Sequence, residues 1–292
     1  MRSPFKMQWI WVNPKIVMKK LLKYLLVLMC FALGSCGQGN NGSLPVVTDI
    51  TMDQVMYGQK TTFKLMGLNL NQDFQVSVSN CEGLALLPGG SDTEKYVTCS
   101  PNVAGQAYIV TKSTDGVQMV IKNFEVSNPQ VKISTNFGDL TVELYPTAAP
   151  ITVNNYLKYV NANFYTNTLM HRIIPQFVVQ GGWLTSSVSE QAGAGNLIVL
   201  ESSNGLKNTR GSIAMARTSA PNSASTQFYF NLADNSKLDY QSEASPGYAV
   251  FGQILDGLNV IDIMAQISTA TLYGLANFPT SNVVVKSIVQ IK

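Results

Sequence analysis

One run in the second half of the chain combines a cation, an aromatic ring and an amide. The run from Met170 to Gly182 contains Arg172, Phe177 and Gln180, and it ends in a glycine pair that suits a sharp bend. An arginine keeps its charge at any relevant pH and carries its donors in a rigid fork. Periodicity alone favours a different interpretation, in which the run is a core strand and Arg172 extends to solvent.

The histidine content limits the alternative chemistries. The chain has one histidine, His171, which stands inside the same run. A Ser-His-Asp or Cys-His site would have to use it, and a metal site built on several histidines is impossible. A hydrolase of either type would therefore have a single candidate histidine.

Three further blocks follow in order, namely 208–217, 225–231 and 247–252. Together with 170–182 they resemble the cyclophilin-type peptidyl-prolyl cis/trans isomerases, whose motif has the form F-H-R-x-I-P-x-F-x-x-Q-G-G. The similarity extends over residues 131–292 and is closest in character to the bacterial periplasmic members. It implies an isomerase that acts on proline-containing polypeptides.

The resemblance implies that Arg172 is the catalytic arginine. Amide rotation is slow because resonance gives the C–N bond double-bond character, with a barrier of ~18–20 kcal/mol. At the twisted transition state the proline nitrogen gains a lone pair, and a fixed cation that donates to it stabilises that state more than either planar one. This mechanism needs no nucleophile, metal or cofactor, and it leaves a hydrolase as a distant third hypothesis.

The resemblance also assigns the substrate groove. Gln180 would orient Arg172 and the substrate carbonyl, and Tyr229 stands where the family usually has phenylalanine. Tyr248 occupies a position where bacterial members often have tyrosine. The proline ring would be held by Phe177, Val178, Met215 and Leu238, and the peptide backbone by Ala216, Arg217 and Gln227.

Some positions depart from the family pattern. Gln176 replaces a usual glycine, and Trp183 follows the glycine pair where a small or acidic residue is common. The tryptophan that helps many eukaryotic members bind cyclosporin has no counterpart near 235–238, so weak cyclosporin binding is expected. His171 should point to the opposite strand face from Arg172, which favours a structural role.

The expected fold is mainly β. The resemblance implies that residues 130–292 form a closed, eight-stranded antiparallel barrel with a helix at each end. The alternating segments 131–135 and 140–144 predict a hairpin, and apolar spacing predicts helices that begin near Pro150 and over 258–267, the first with Phe164 on its apolar face.

A separate β domain is predicted over residues 44–129. Short alternating segments with turn residues between them suit an immunoglobulin-like sandwich. This domain could be a binding module or a simple spacer, and a structural surface protein whose function lies here is one alternative to the enzyme. The other alternative is a chaperone that keeps the cyclophilin fold only to hold peptides.

The N-terminal residues 1–35 read as an export signal, with Met18 as a candidate start. Basic residues precede a ten-residue apolar core, which is too short to span a bilayer. Leu33-Gly34-Ser35-Cys36 resembles the bacterial lipobox, so Cys36 is the predicted lipidation site and 36–43 a flexible tether. We therefore expect a lipid-anchored envelope protein, with the outer membrane favoured.

Composition agrees with export and excludes some partners. Only 13% of residues are charged, and no basic patch with interleaved aromatics supports nucleic-acid binding. Cys81 and Cys99 could form a disulfide in an oxidising compartment or remain two buried thiols. A monomer is expected.

Overall fold

The computed structural model describes residues 7–12 and 43–292, and within 7–12 it describes only the side chain of Ile10. Most of the predicted signal, the lipobox cysteine Cys36 and most of the tether lie outside the described residues. The chain divides into two compact units, with the division between Ser127 and Asn128. Each unit is mainly β.

The first unit contains two four-stranded antiparallel sheets. One has the strand order β1-β4-β7-β8 and the other β2-β3-β6-β5. The strands are β1 (Met7–Val12), β2 (Val46–Met52), β3 (Thr61–Leu68), β4 (Phe74–Ser79), β5 (Cys81–Leu86), β6 (Glu94–Pro101), β7 (Gly105–Ser113) and β8 (Gln118–Val126).

Both sheets contribute to one apolar core. Phe63 and Val97 come from one sheet, and Phe74, Val76 and Ile109 come from the other; all five side chains are fully buried. The alternation of buried and more exposed residues along β3 is the period-two pattern of a strand with one face inward. A disulfide joins Cys81 in β5 to Cys99 in β6.

The second unit contains two helices and one long curled sheet. The sheet order is β11-β19-β9-β10-β16-β14-β15-β13-β12, and β17 and β18 form a separate hairpin. The elements are β9 (Gln130–Thr135), β10 (Gly138–Leu144), α1 (Pro150–Asn161), β11 (Thr168–Leu169), β12 (Arg172–Ile174), β13 (Val178–Gly181), β14 (Ser212–Met215), β15 (Phe228–Asn231), β16 (Val250–Asp256), α2 (Leu258–Ala265), β17 (Thr269–Leu272), β18 (Leu275–Pro279) and β19 (Val284–Gln290).

The expectation of a closed, eight-stranded barrel was wrong. The hydrogen-bonded ladder has nine strands and stays open between its end strands, β11 and β12. These two strands follow one another in the chain, separated only by Met170 and His171, and they pair with different partners, β19 and β13. The two ends of the sheet therefore meet at a short chain segment and not at a ladder.

The two predicted helices and the predicted β9–β10 hairpin are present in the second unit. Helix α1 begins at Pro150, whose missing N–H is not needed in the first turn. The predicted place of Phe164 on this helix was wrong, because the helix ends at Asn161, although the Phe164 side chain is buried. In α2 the buried side chains include Ile261 and Met264. Among the described residues, no helix combines the length and apolar character needed to cross a bilayer.

Candidate active site

Strand register places two of the three predicted catalytic side chains, those of Arg172 and Gln180, in one row. Arg172 of β12 is paired with Gln180 of β13, Gln180 with Tyr229 of β15, and Tyr229 with Ala214 of β14. Directly opposed residues in antiparallel strands project from the same face. The row therefore crosses four strands on a single face of the sheet.

Side-chain hydrogen bonds connect Arg172 and Gln180 of this row to Gln227, which directly precedes β15. Arg172 Nη1 donates to Gln180 Oε1 over 3.2 Å. Gln180 Nε2 in turn donates to Gln227 Oε1 over 2.9 Å. The partly exposed Arg172 guanidinium is therefore bound to the Gln180 amide, which Gln227 fixes in turn. These two bonds restrict the direction in which the remaining guanidinium donors point.

The glycine pair at the end of β13 permits close approach to neighbouring chain. A Cβ atom at Gly182 would lie 2.6 Å from the carbonyl oxygen of Thr226, and φ there is 86°. A side chain would displace the segment that carries Gln227. The glycine is therefore required by the packing around the site.

An apolar cluster lies beside the row. Val178, Ala214, Tyr229 and Val250 are its buried members. Partly buried apolar residues pack against them, namely Phe177, Leu206, Ala216, Leu238 and Tyr248. These residues form an apolar pocket of the kind that holds a proline ring. The pocket lies beside the row that carries the Arg172 guanidinium.

Arg217 forms part of the rim of this surface. Its Nε donates to the Gly247 carbonyl and its Nη1 to the Thr218 carbonyl, both over 2.9 Å. Its guanidinium carbon lies 4.6 Å from the centre of the Tyr248 ring. A cleft adjoins it, lined by Gln180, Ala216, Arg217, Thr218, Ser223, Ser225 and Gln227.

Residues 130–290 match the family model of the cyclophilin type peptidyl-prolyl cis-trans isomerases, which is more than half of the chain. The chain belongs to the cyclophilin family. It is a peptidyl-prolyl cis-trans isomerase, as are the curated relatives that it spans almost completely.

Two such relatives are bacterial. A peptidyl-prolyl cis-trans isomerase of Acinetobacter baylyi is 45% identical over 175 residues, which are 60% of this chain and 91% of the relative. Peptidyl-prolyl cis-trans isomerase B of Escherichia coli is 39% identical over 160 residues, covering 54% and 97%. A Cryptosporidium parvum cyclophilin-type isomerase, crystallised in the presence of the dipeptide Ala-Pro, shares 27% identity with a TM-score of 0.48 and covers 56% and 99%.

One predicted groove residue lies elsewhere in the cyclophilin-type domain. Met215 is fully buried and is not part of the apolar cluster that contains its neighbours Ala214 and Ala216. Successive strand residues point to opposite faces, so Met215 shares the other face of β14 with Ile213. Met215 does not border the pocket, contrary to the expectation.

The Tyr229 hydroxyl finds a protein partner. It donates to Asn208 Oδ1 over 2.8 Å, and burial raises the pKa of Tyr229 well above its usual value, so the hydroxyl stays protonated. Asn208 donates from its backbone N–H and its side chain to Asp239 Oδ1, and Asn231 donates to Asn208 Oδ1. Sequence reasoning missed this buried network.

Asn235 extends the same network to the aromatic residue of the pocket. Its Nδ2 donates to the Phe177 carbonyl over 2.9 Å and to Asn231 Oδ1 over 2.7 Å. Polar residues that are far apart in sequence carry no local signal of pairing, so only the fold reveals that they support the pocket from behind.

His171 lies apart from the row. The side chain is 5% exposed, and its ring meets Trp183 edge to face with centroids 5.4 Å apart. Burial, aided by the positive charge of Arg172, lowers the pKa of His171 to about 4. A neutral, enclosed imidazole fits the expected structural role.

Gln176 has a backbone conformation that explains the family's usual glycine at this position. Its φ is 57°, in the left-handed region that side chains other than glycine rarely adopt. Trp183, the other departure, donates from Nε1 to Glu190 Oε1 and packs against the cluster around Leu184.

Proposed function

We propose that Arg172 drives isomerisation by donating to the proline nitrogen as the amide twists. The observation that carries the proposal is the row from Arg172 through Gln180 to Tyr229, which sets a restrained guanidinium beside an apolar surface. The planar amide has no lone pair to accept this bond, so the interaction strengthens only at the transition state. A thousandfold acceleration needs about 4 kcal/mol.

The other groove residues have supporting roles in this proposal. The proline ring is held by Phe177, Val178, Leu238 and Tyr229. Tyr248 closes one side of the pocket, where its ring packs against the Arg217 guanidinium. Ala216 and Gln227 contact the peptide backbone. The Arg217 donors described above are engaged with carbonyl groups, which favours a part in shaping the rim over direct backbone binding.

Replacement of Arg172 tests the mechanism. We expect Arg172→Ala to lower kcat/KM about 100-fold or more in a protease-coupled assay with a Xaa-Pro peptide, because one preorganised donor is lost from the transition state. Arg172→Lys keeps the charge without the fork and should lose about tenfold.

Arg210→Ala is the matched control. Arg210 pairs with Asp262 over 2.8 Å and stands outside the row, so its loss should leave kcat/KM within about threefold. Unchanged kcat/KM in a folded Arg172→Ala variant would refute the mechanism and leave the peptide-holding chaperone as the better alternative.

We also propose that the enzyme is held at the bacterial envelope through a lipid on Cys36. Support comes from the basic segment, the short apolar core and the small residues before Cys36. Acyl chains contribute about 0.8 kcal/mol per buried methylene, so several chains would hold the protein firmly. Its substrates would be proline-containing envelope polypeptides, and the enzyme would act as a monomer.

The first unit is proposed to be an immunoglobulin-like domain. Two antiparallel sheets around one core, with a disulfide between neighbouring strands, support this assignment. The simplest role for this domain is a spacer between the lipid anchor and the isomerase domain.

A further inference from the structure

The outermost strand of one sheet comes from the extreme N-terminus. β1 pairs with β4 over six residue pairs, from Met7 with Ser79 to Val12 with Phe74, and the register has no shift. The other side of β4 pairs with β7. Ile10 packs against the apolar core of the unit.

This strand precedes the predicted lipidation site in the sequence. Processing at Cys36 would remove residues 7–12 from the mature chain and leave β4 at the edge of its sheet. Each edge strand presents a row of unpaired N–H and C=O groups, which is a template for another strand. The inference below therefore rests on the lipoprotein processing proposed above.

The other edges of the two sheets carry features that discourage pairing. β2 contains Asp49 and a register shift beside it, and β5 contains Glu82 with a shift after it. β8 contains Lys122 and Glu125. Charges and bulges of this kind protect sheet edges from adventitious strands.

β4 has none of these devices. Its sequence, Phe-Gln-Val-Ser-Val-Ser, contains no charge and no proline, and its pairing shows no shift on either side. Phe74, Val76 and Val78 belong to the core, and the polar Ser77 is also fully buried while β1 is in place.

We propose that the edge of β4 is a strand-accepting site for an extended, apolar segment of an unfolded polypeptide. Main-chain hydrogen bonds would supply affinity, and the place that Ile10 occupies would select an apolar side chain. The first unit would then hold a client chain on the same molecule that isomerises its proline bonds, and β1 shows the geometry of the bound segment.

The experiment uses the processed protein purified from the envelope, with its N-terminus established by intact mass. A fluorescein-labelled peptide with the sequence of residues 5–14 is titrated by anisotropy. We expect saturable binding and, in hydrogen-exchange mass spectrometry, protection that appears on β4 and not on β8. Ile10→Asp in the peptide should weaken binding about tenfold or more, because a carboxylate would enter the core. Asn13→Asp makes the same charge change outside the strand and should bind like the parent.

Two results would overturn the proposal, and they are distinguishable. Processed protein that shows no saturable binding and no β4 protection would refute the strand-accepting site alone. Protein that retains residues 7–12, with β4 already protected, would refute both this site and the lipoprotein processing.

Discussion

At the scale of single residues, the direction in which a side chain points matters more to the site than its closeness in sequence. Arg172 and His171 are chain neighbours, yet one faces the groove and the other is enclosed with Trp183. The alternation of a strand separates a permanently charged group from one that is kept neutral. One residue can therefore serve the reaction while the next serves packing.

His171 predicts a pH dependence of stability. Its pKa is about 4 in the folded chain against 6.5 for an ordinary histidine, so the unfolded state binds more protons between these values. Stability should fall as the pH drops from 6.5 toward 4, with a slope of at most about 1.4 kcal/mol per pH unit. Urea unfolding at pH 4.5, 5.5, 6.5 and 7.5 measures it.

The chain's lone histidine makes the control direct. Hydrogen bonds from Lys64, Ser113 and Lys132 lower the pKa values of Glu94, Asp115 and Asp139 from ordinary values of 4.5, 3.8 and 3.8, so these carboxylates contribute at the acidic end of the window and His171 dominates the slope between pH 5.5 and 6.5. A His171→Asn variant should therefore lose most of the slope. An equal slope in the two proteins would contradict the assignment.

At the scale of elements, helix α1 and the segment after it hold the part of the groove that carries Gln227. Asn155 Nδ2 donates to the Ser225 carbonyl, and the buried Tyr165 hydroxyl donates to the Thr226 carbonyl over 2.9 Å. The position of Gln227 thus depends on a helix that precedes it by more than sixty residues.

The first turn of α1 is capped from a distance. Ala149 at the helix boundary provides no side-chain cap. Instead, Glu201 accepts the backbone N–H groups of Ile151 and Thr152 over 3.1 and 2.8 Å, and the Thr152 hydroxyl over 2.7 Å. A carboxylate at this end also complements the helix dipole.

Removing this cap should destabilise the isomerase domain. We expect Glu201→Ala to cost about 1–2 kcal/mol in urea unfolding, because two helix N–H groups lose their acceptor. Glu243→Ala, at an exposed position, is the matched control and should change stability by less than about 0.5 kcal/mol. Similar losses in both variants would show that the cap contributes nothing specific.

At the scale of the whole molecule, removal of the predicted export signal would also change the fold of the first unit. The same residues that would be removed with the signal include β1, which completes a sheet of the first unit. Cleavage before Cys36 would therefore change the edge of that unit as well as the location of the enzyme.

Metabolic labelling tests the anchor. Cells fed an alkyne fatty acid should label the protein, and Cys36→Ser should abolish the label because the acceptor thiol is gone. Cys30→Ser changes the other N-terminal cysteine and should retain the label. Labelling that persists in Cys36→Ser would exclude this anchor.

The local sequence was sufficient to identify the family and to group its predicted catalytic residues. Arg172, Phe177 and Gln180 lie within nine residues of one another, so a single motif identified them together with the family. The helix at Pro150 and the β9–β10 hairpin also follow from local patterns, since apolar periodicity and turn residues act over a few positions. The prediction of the export signal likewise rests on residues that are adjacent in the chain.

Only the tertiary structure decided how distant segments meet. It assigned Met215 to the opposite strand face, left the ladder open between β11 and β12, tied Tyr229 to Asn208, and brought Glu201 to α1. The physical reason is register: a shift of one residue between paired strands exchanges their two faces, and long-range contacts rather than local composition set that register.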